Sequence, residues 1–300
     1  MITLGNNLQK SIWRSTIANL YIDFGGSNFR YSYDEDLKNI TKLKSNQVDL
    51  KKFLDHEIQQ VKDIQFIGIS IAGQVRDGTI LSSPNIDIGN FNIKQYIKEK
   101  YNIRLEIEND LNCAALAEND EEESDSIGVF YIGTGFGSAF IDNGKLIKGS
   151  HNLSGEMGHI PFIKTPFTCG CGRDDCVELC VSGRGIIRWC KHLGIDLQDY
   201  SLENLEKIQS KDSIQILDNF YNGLKHSFHT SLNLFDPQTF ILGGGVGKKN
   251  SKLLSFLEDE SKKSSFKNLR KIKFKLSQLE EGSLKGAKLL QCNHLEINLN

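Results

Sequence analysis

Four residues close together carry a metal-ligand pattern: His159, Cys169, Cys171 and Cys176. The spacing H-x9-C-x-C-x4-C offers three thiolates and one imidazole, the tetrahedral set that zinc prefers. Four protein ligands leave no open position, so such an ion is structural and its binding orders the loop between 159 and 178. Free cysteines beside an unrelated histidine would leave the same letters, but Gly170 and Gly172 suit a tight ligand loop. Two carboxylates flank the set. Glu156 lies in Gly155-Glu156-Met157-Gly158-His159, and Glu178 follows the last cysteine by two residues. Carboxylates accept hydrogen bonds from vicinal hydroxyls, so a hydroxyl-rich ligand is the chemistry they suit. Ordinary surface acids are the other reading.

Three glycine-rich turns could approach phosphates or a nucleoside. The first is Asp23-Phe24-Gly25-Gly26-Ser27-Asn28. Successive N–H groups in such a turn can form a nest for phosphate oxygens, and an acidic residue can hold a metal-bound water beside them. The second is Gly133-Thr134-Gly135-Phe136-Gly137, and the third is Gly243-Gly244-Gly245 after an apolar run. Each could equally be a plain tight turn. Two phosphate-type turns in one chain favour a nucleotide clamp. Glu108-Asn109-Asp110 stands between a strand pattern and a helix pattern. Asp110 there is either a general base at a strand end or a helix N-cap.

Positioning these residues needs strands and helices in alternation. Leu20–Phe24 and Phe29–Tyr33 read as a hairpin around the first turn, and Ile127–Ile132 with Ser138–Ile141 as a second, suggesting a distant duplication. Helical spacing appears over Leu50–Val61, Leu111–Glu118 and Ser213–Phe235, the last closed by Pro237. Ile64–Ile71, Leu105–Ile107, Thr239–Leu242 and Ile272–Leu276 read as strands, and Leu253–Leu257 and Ser283–Leu290 as helices. The acidic stretch Glu118–Asp125 reads as a solvated loop and a domain boundary. This alternation gives an α/β fold.

Composition narrows the class. Of the 300 residues 39% are apolar and 25% charged, ordinary for a folded chain and unlike a disordered one. A net charge of −2 argues against nucleic-acid binding by bulk positive charge, and no apolar run reaches the ~20 residues of a membrane helix. Seven cysteines is an odd number, and the first residues show no secretory pattern, so the expectation is reduced thiols in the cytoplasm. His226, His229 and the basic stretches around Lys262 and Arg270 read as packing or solvated faces, and Cys113 as buried.

The motifs in their order resemble the ROK family of sugar kinases and repressors. The resemblance is carried by IDFGGSNFR, Ser83-Pro84-Asn85, ENDLNCAALAE, YIGTGFGSAF, GEMGHI, CGCGRDDCVE, ILGGGV and SLKGA, from about residue 20 to 291. It implies the two-domain actin-like ATPase (ribonuclease H-like) fold. The lobes would be residues 1–118, completed by the C-terminal helix 283–300, and 119–282, with ATP and sugar in the cleft between. It also implies roles. Asp110 takes the proton from a sugar hydroxyl. Gly73, Asn85, Asn109, Glu156, His159 and Glu178 bind the sugar, His159 serving zinc through its other nitrogen. Asp23 helps place Mg2+, residues 25–28 and 133–137 wrap the ATP phosphates, and Gly243–Gly245 lie against adenosine. Glucose phosphorylated at the 6-hydroxyl is the first expectation. N-acetylmannosamine, N-acetylglucosamine or fructose are the alternatives, and a homodimer is implied. The family's repressors carry a winged-helix domain before the first turn. Only 22 residues precede Asp23 here, which favours the kinase over a sugar-sensing regulator. Ser27 for threonine, Ala72 for proline and Asp175 for glycine depart from the family pattern.

Overall fold

The computed structural model describes residues 18–83, 91–122, 124–263 and 266–292. Thirteen strands and nine α-helices follow one another through these segments. The first half runs β1 (Ala18–Phe24), β2 (Asn28–Ser32), β3 (Thr41–Lys44), α1 (Leu50–Gln60), β4 (Ile64–Ile71), β5 (Gln74–Arg76), β6 (Thr79–Ser82), β7 (Phe91–Asn92), α2 (Ile93–Tyr101), β8 (Arg104–Asn109) and α3 (Asp110–Glu122). The second runs β9 (Ile127–Ile132), β10 (Phe136–Asp142), β11 (Lys145–Leu146), α4 (Gly183–His192), α5 (Leu202–Ile208), α6 (Lys211–Phe235), β12 (Thr239–Gly243), α7 (Gly244–Lys249), α8 (Lys252–Lys262), β13 (Lys273–Leu276) and α9 (Gly282–Leu289).

The two halves repeat one topology. One sheet has the order β3-β2-β1-β4-β8, the other β11-β10-β9-β12-β13. In each, a three-strand antiparallel meander is extended by two parallel strands. The duplication suggested by the second hairpin is therefore present. A small sheet, β5-β6-β7, stands apart, and the hydrophobic pattern did not announce it.

Strands buried on both faces explain why the central segments read as near-continuous apolar runs. On β1, Leu20, Ile22 and Phe24 enter one core with α1 and α2, while Tyr21 faces the other way. On β9 and β10, Phe130, Ile132 and Phe140 join a second core under α4, α6 and α8. A third core lies between the sheets, made of Tyr21, Phe66, Cys113, Leu116, Val129, Ile141, Ile241 and Leu284 among others. Here the helices cross over: α3, which leaves the first sheet, packs on β9 and β10, and α9, which leaves the second, packs on β1 and β4. The two helices also pack on each other, and Gly286 permits it. A Cβ at that position would stand 1.8 Å from Cys113 O.

Local chemistry sets the helix ends. Asp49 and Asn92 side chains accept from Lys52 N–H and Gln95 N–H to cap α1 and α2. Ser210 and Ser213 form a reciprocal capping box on α6, and Asp236 ends it in the left-handed region just before Pro237.

The acidic stretch is helical from Glu118 to Glu122, and only Ser124 and Asp125 of its described residues lie in a loop. α3 runs unbroken to Glu122, and Glu118 is buried with Tyr131 Oη donating to it at 2.6 Å. Glu122 pairs with Lys273 at 3.0 Å and with Lys275, and Glu121 pairs with Lys285. Lysines contributed by β13 and α9 thus supply the counter-charge that lets an acidic sequence stay helical.

Candidate functional site

A cleft of about 470 Å3 opens between the two sheets, at the ends of β8, β9 and β12. Asp110 lies on its wall, together with Gly73, Asn109, Glu156, His159 and Glu178. The sugar-side residues expected from sequence that the structure describes are therefore gathered in one place; Asn85 lies outside the described residues.

Asp110 is the first residue of α3, where β8 ends. The capping role falls chiefly on its neighbour: Asn109 Oδ1 accepts from Leu111 N–H at 2.9 Å and Asn112 N–H at 3.2 Å. Asp110 Oδ1 accepts from Leu111 N–H alone, at 2.9 Å. Burial pushes the Asp110 carboxyl up to about 6, and the negative charges of Asp23 and Glu156 add to the rise. At neutral pH it is still mostly ionised, as a base must be, yet more basic than an ordinary aspartate. Asn109 Nδ2 donates to Gly73 O at 3.0 Å, tying the strand end to the turn after β4. Only glycine fits at 73: φ is +153° and a Cβ would meet Ser82 O at 2.2 Å. Ala72, at the family's proline position, uses its N–H, donating to Phe24 O at 2.9 Å. Proline could not make that bond.

Glu156 precedes a 3-10 turn, Met157–His159, that is pinned to β10: Ser138 Oγ accepts from Met157 N–H and donates to Gly155 O. Gln74 Nε2 reaches Glu156 Oε1 at 3.4 Å from the small sheet. Glu178 Oε2 accepts from Phe136 N–H at 3.0 Å, and a Cβ on Gly135 would stand 2.6 Å from that oxygen. Glu178 thus lies against the second glycine turn, joining it to the side of the cleft that carries Glu156 and His159.

His159, Cys169, Cys171 and Cys176 come together with all four ligand atoms within 4.8 Å of one another. His159 Nδ1 is 3.4 Å from Cys169 Sγ, and Cys171 Sγ is 3.3 Å from Cys176 Sγ. Those separations match ligands sharing one tetrahedral ion with bonds of about 2.0–2.3 Å, so the residues fit zinc. His159 turns Nδ1 to the cysteines while its ring lines the cleft. Asp175 needs no left-handed backbone, which accounts for its standing where glycine is common. Its carboxylate forks onto Arg173 at 2.8 and 2.9 Å.

The phosphate-side turns behave differently. Gly133 and Gly244 line the cleft, and Gly133, Thr134 and Gly245 line an adjoining cavity of about 740 Å3. The second and third turns are therefore neighbours, with Gly244 at φ +77° and no room for a Cβ beside Ile132 O. Part of the second turn is already engaged, since Gly133 N–H donates to Gly135 O and Phe136 N–H to Glu178. Residues 23–28 do not line either cavity. Asp23 is buried, accepting from Ser70 Oγ at 3.1 Å and paired with Arg30 at 3.3 Å. Burial pushes its carboxyl up to about 6, against the pull of Arg30. Two raised carboxylates, the charge of Asp23 adding to the rise of Asp110, suit a divalent cation.

Sequence reasoning missed Glu108, Lys148, Asn152, Gln74 and Ser138 around this cleft. Glu108 stood in view beside Asn109; only its burial at a strand end marks it out, and that is not legible from one sequence.

Comparison with known proteins agrees with this geometry. The chain is 29% identical over 231 residues to the xylose repressor of Bacillus subtilis, covering 73% of this chain but only 60% of the repressor. It is 27% identical over 301 residues to the N-acetyl-D-glucosamine kinase of Aliivibrio salmonicida, covering 89% and 97%. Among solved structures, a ROK family glucokinase from Streptomyces griseus in complex with glucose and AMPPNP aligns with a TM-score of 0.67 at 23% identity, over 91% of this chain and 98% of that one. The likeness shows the two-domain actin-like ATPase fold, as the family resemblance in the sequence implied. The ROK family model matches residues 26–292, and the chain belongs to the ROK family.

Proposed function

We propose that the chain is an ATP-dependent sugar kinase, acting on a hexose with glucose at its 6-hydroxyl as the first substrate to test. The observation that carries this reading is Asp110, ionised but raised to about 6, on the wall of a cleft that also presents Glu156, His159 and Glu178. Acceptor-rich walls suit a polyhydroxyl ligand, and a raised carboxylate suits proton removal from one of its hydroxyls.

In this reading, sugar and ATP meet in the cleft between the lobe built on the first sheet and the lobe built on the second. A sugar hydroxyl gives its proton to Asp110 as its oxygen attacks the γ-phosphorus of ATP. The bond from that phosphorus to the bridging oxygen breaks, and ADP leaves. Glu156, Asn109, His159 and Glu178 hold the remaining hydroxyls. The adenosine has room in the adjoining cavity, between Gly245, Val246, Ile187 and Tyr200. Asp23 would hold Mg2+ through a bound water, and that ion would offset charge on the phosphates. His159, Cys169, Cys171 and Cys176 would hold zinc, whose contribution is to fix the loop between Glu156 and Glu178.

The N-acetyl-D-glucosamine kinase and glucokinase among the similar proteins support a kinase and leave the 2-substituent open, so N-acetylglucosamine and N-acetylmannosamine stand next to glucose, with fructose after them. The similarity to a xylose repressor favours a second reading, a sugar-binding regulator without turnover. A coupled ADP-release assay over these sugars and mannose separates the two. Turnover is expected with at least one, reduced about a thousandfold in Asp110→Asn by loss of the base. Sugar binding with no turnover anywhere would favour the regulator.

A further inference from the structure

We propose that Glu108 is a positioning residue whose buried carboxylate latches the loop 148–156 across the cleft, fixing Asp110 and Glu156 relative to each other before sugar arrives. The inference rests on the kinase reading and adds to it a residue that touches neither substrate.

Glu108 is 3% exposed, yet it collects four donors. Oε1 accepts from Asn109 N–H at 2.9 Å, Asn112 Nδ2 at 3.0 Å and Asn152 Nδ2 at 2.9 Å. Oε2 pairs with Lys148 at 2.5 Å. Burial alone would raise this carboxyl, but Lys148 and the amides outweigh it and hold it below the usual range. Two of the donors belong to the first half of the chain, beside the catalytic Asp110. The other two belong to the loop after β11, which ends at Glu156. The carboxylate is therefore shared between the element that carries the base and the element that carries a sugar-binding acid.

Asn152 completes the crossing. Its Nδ2 also donates to Val75 O at 2.8 Å, in the small sheet that sends Gln74 to Glu156. Its backbone sits in the left-handed region at φ +58°, where asparagine is tolerated better than most residues. The loop itself is braced by Ser154 N–H donating to Lys148 O at 3.1 Å. Reactive groups must be held to well under an ångström, and a small displacement of either carboxylate is costly to rate. A charge so well satisfied out of water is an expensive device unless its geometry matters.

The test is steady-state kinetics of the full chain, with whichever sugar the panel identifies, on wild type, Asn152→Gly, Glu108→Gln and the double variant. Glycine adopts the Asn152 backbone without strain, so that variant deletes both bonds and little else. Asn152→Gly should lower kcat/KM for the sugar about tenfold to a hundredfold while KM for ATP moves by no more than about twofold. Glu108→Gln, which keeps an acceptor oxygen, should fall between, and the double variant should be no worse than the more affected single. Hydrogen exchange at 148–156 should rise in Asn152→Gly. If Asn152→Gly melts lower but keeps wild-type sugar kinetics, the cluster is only structural and the proposal is overturned. Asn152→Gly alone decides this, should Glu108→Gln fail to fold. A wild type inactive on every sugar would instead overturn the kinase reading, and the latch with it.

Discussion

Gly286→Ala tests the crossing of α3 and α9, on which the placement of Asp110 depends. The added Cβ would lie 1.8 Å from Cys113 O, 2.2 Å from Cys113 C and 2.6 Å from Cys113 Cα. Ordinary contact begins at 3.4 Å, so the helices must part by about 1.6 Å. The obstacle is backbone, which cannot swing aside as a side chain can. Overpacking of this kind costs about 1–3 kcal/mol, and a rigid neighbour argues for the upper half. For a chain of this size that lowers the melting temperature by roughly 3 to 5 °C. The assay is thermal unfolding followed by circular dichroism at fixed protein concentration. Gly282→Ala, on the same helix, serves as the control. Its Cβ would meet nothing closer than Leu279 Cδ1 at 3.4 Å, so it should leave the transition within about 1 °C. If Gly286→Ala melts with wild type, the tight crossing is not a constraint and the reasoning fails.

Other outcomes follow from the site. The rise of Asp110 to about 6 puts the acid limb of kcat/KM there. The base is lost as pH falls through that value, so the rate at pH 5 should be about a tenth of its plateau, and a limb near 4 would contradict the burial argument. Metal analysis should find about one zinc per chain; Cys176→Ser should lose it and raise KM for the sugar more than KM for ATP, and a metal-free active enzyme would refute the site. Gly135→Ala pushes on Glu178 Oε2 at 2.6 Å, so it should raise KM for both substrates, measured by varying each in turn.

The elements were legible where apolar period and burial coincide. β1, β4, β9 and β12 read as strands because both their faces are covered, and α6 was closed by Pro237, while its start at Lys211, capped by Ser210, lay two residues before the expected Ser213. The end of α3 was not legible. Its acidic run looks solvated until Lys273, Lys275 and Lys285 are brought to it from over 150 residues away. The four candidate metal ligands were legible from spacing, because all lie between residues 159 and 176. The residue pattern left Asp110 open between cap and base, and the geometry showed Asn109 doing most of the capping. Glu108 was out of reach because its partners, Lys148 and Asn152, are 40 and 44 positions away and nothing local announces them.

The exchange of α3 and α9 between the sheets has a consequence for the newborn chain. When Asn109 leaves the ribosome the first sheet has its strands, but the helix that covers Tyr21 and Phe66 is still unmade. Reaching Leu284 takes another 175 residues. At 5–20 residues per second that is about 10 to 35 seconds with one apolar face bare. The nascent first half therefore has to wait loosely folded or be sheltered by a chaperone, and its final packing comes after synthesis is almost over.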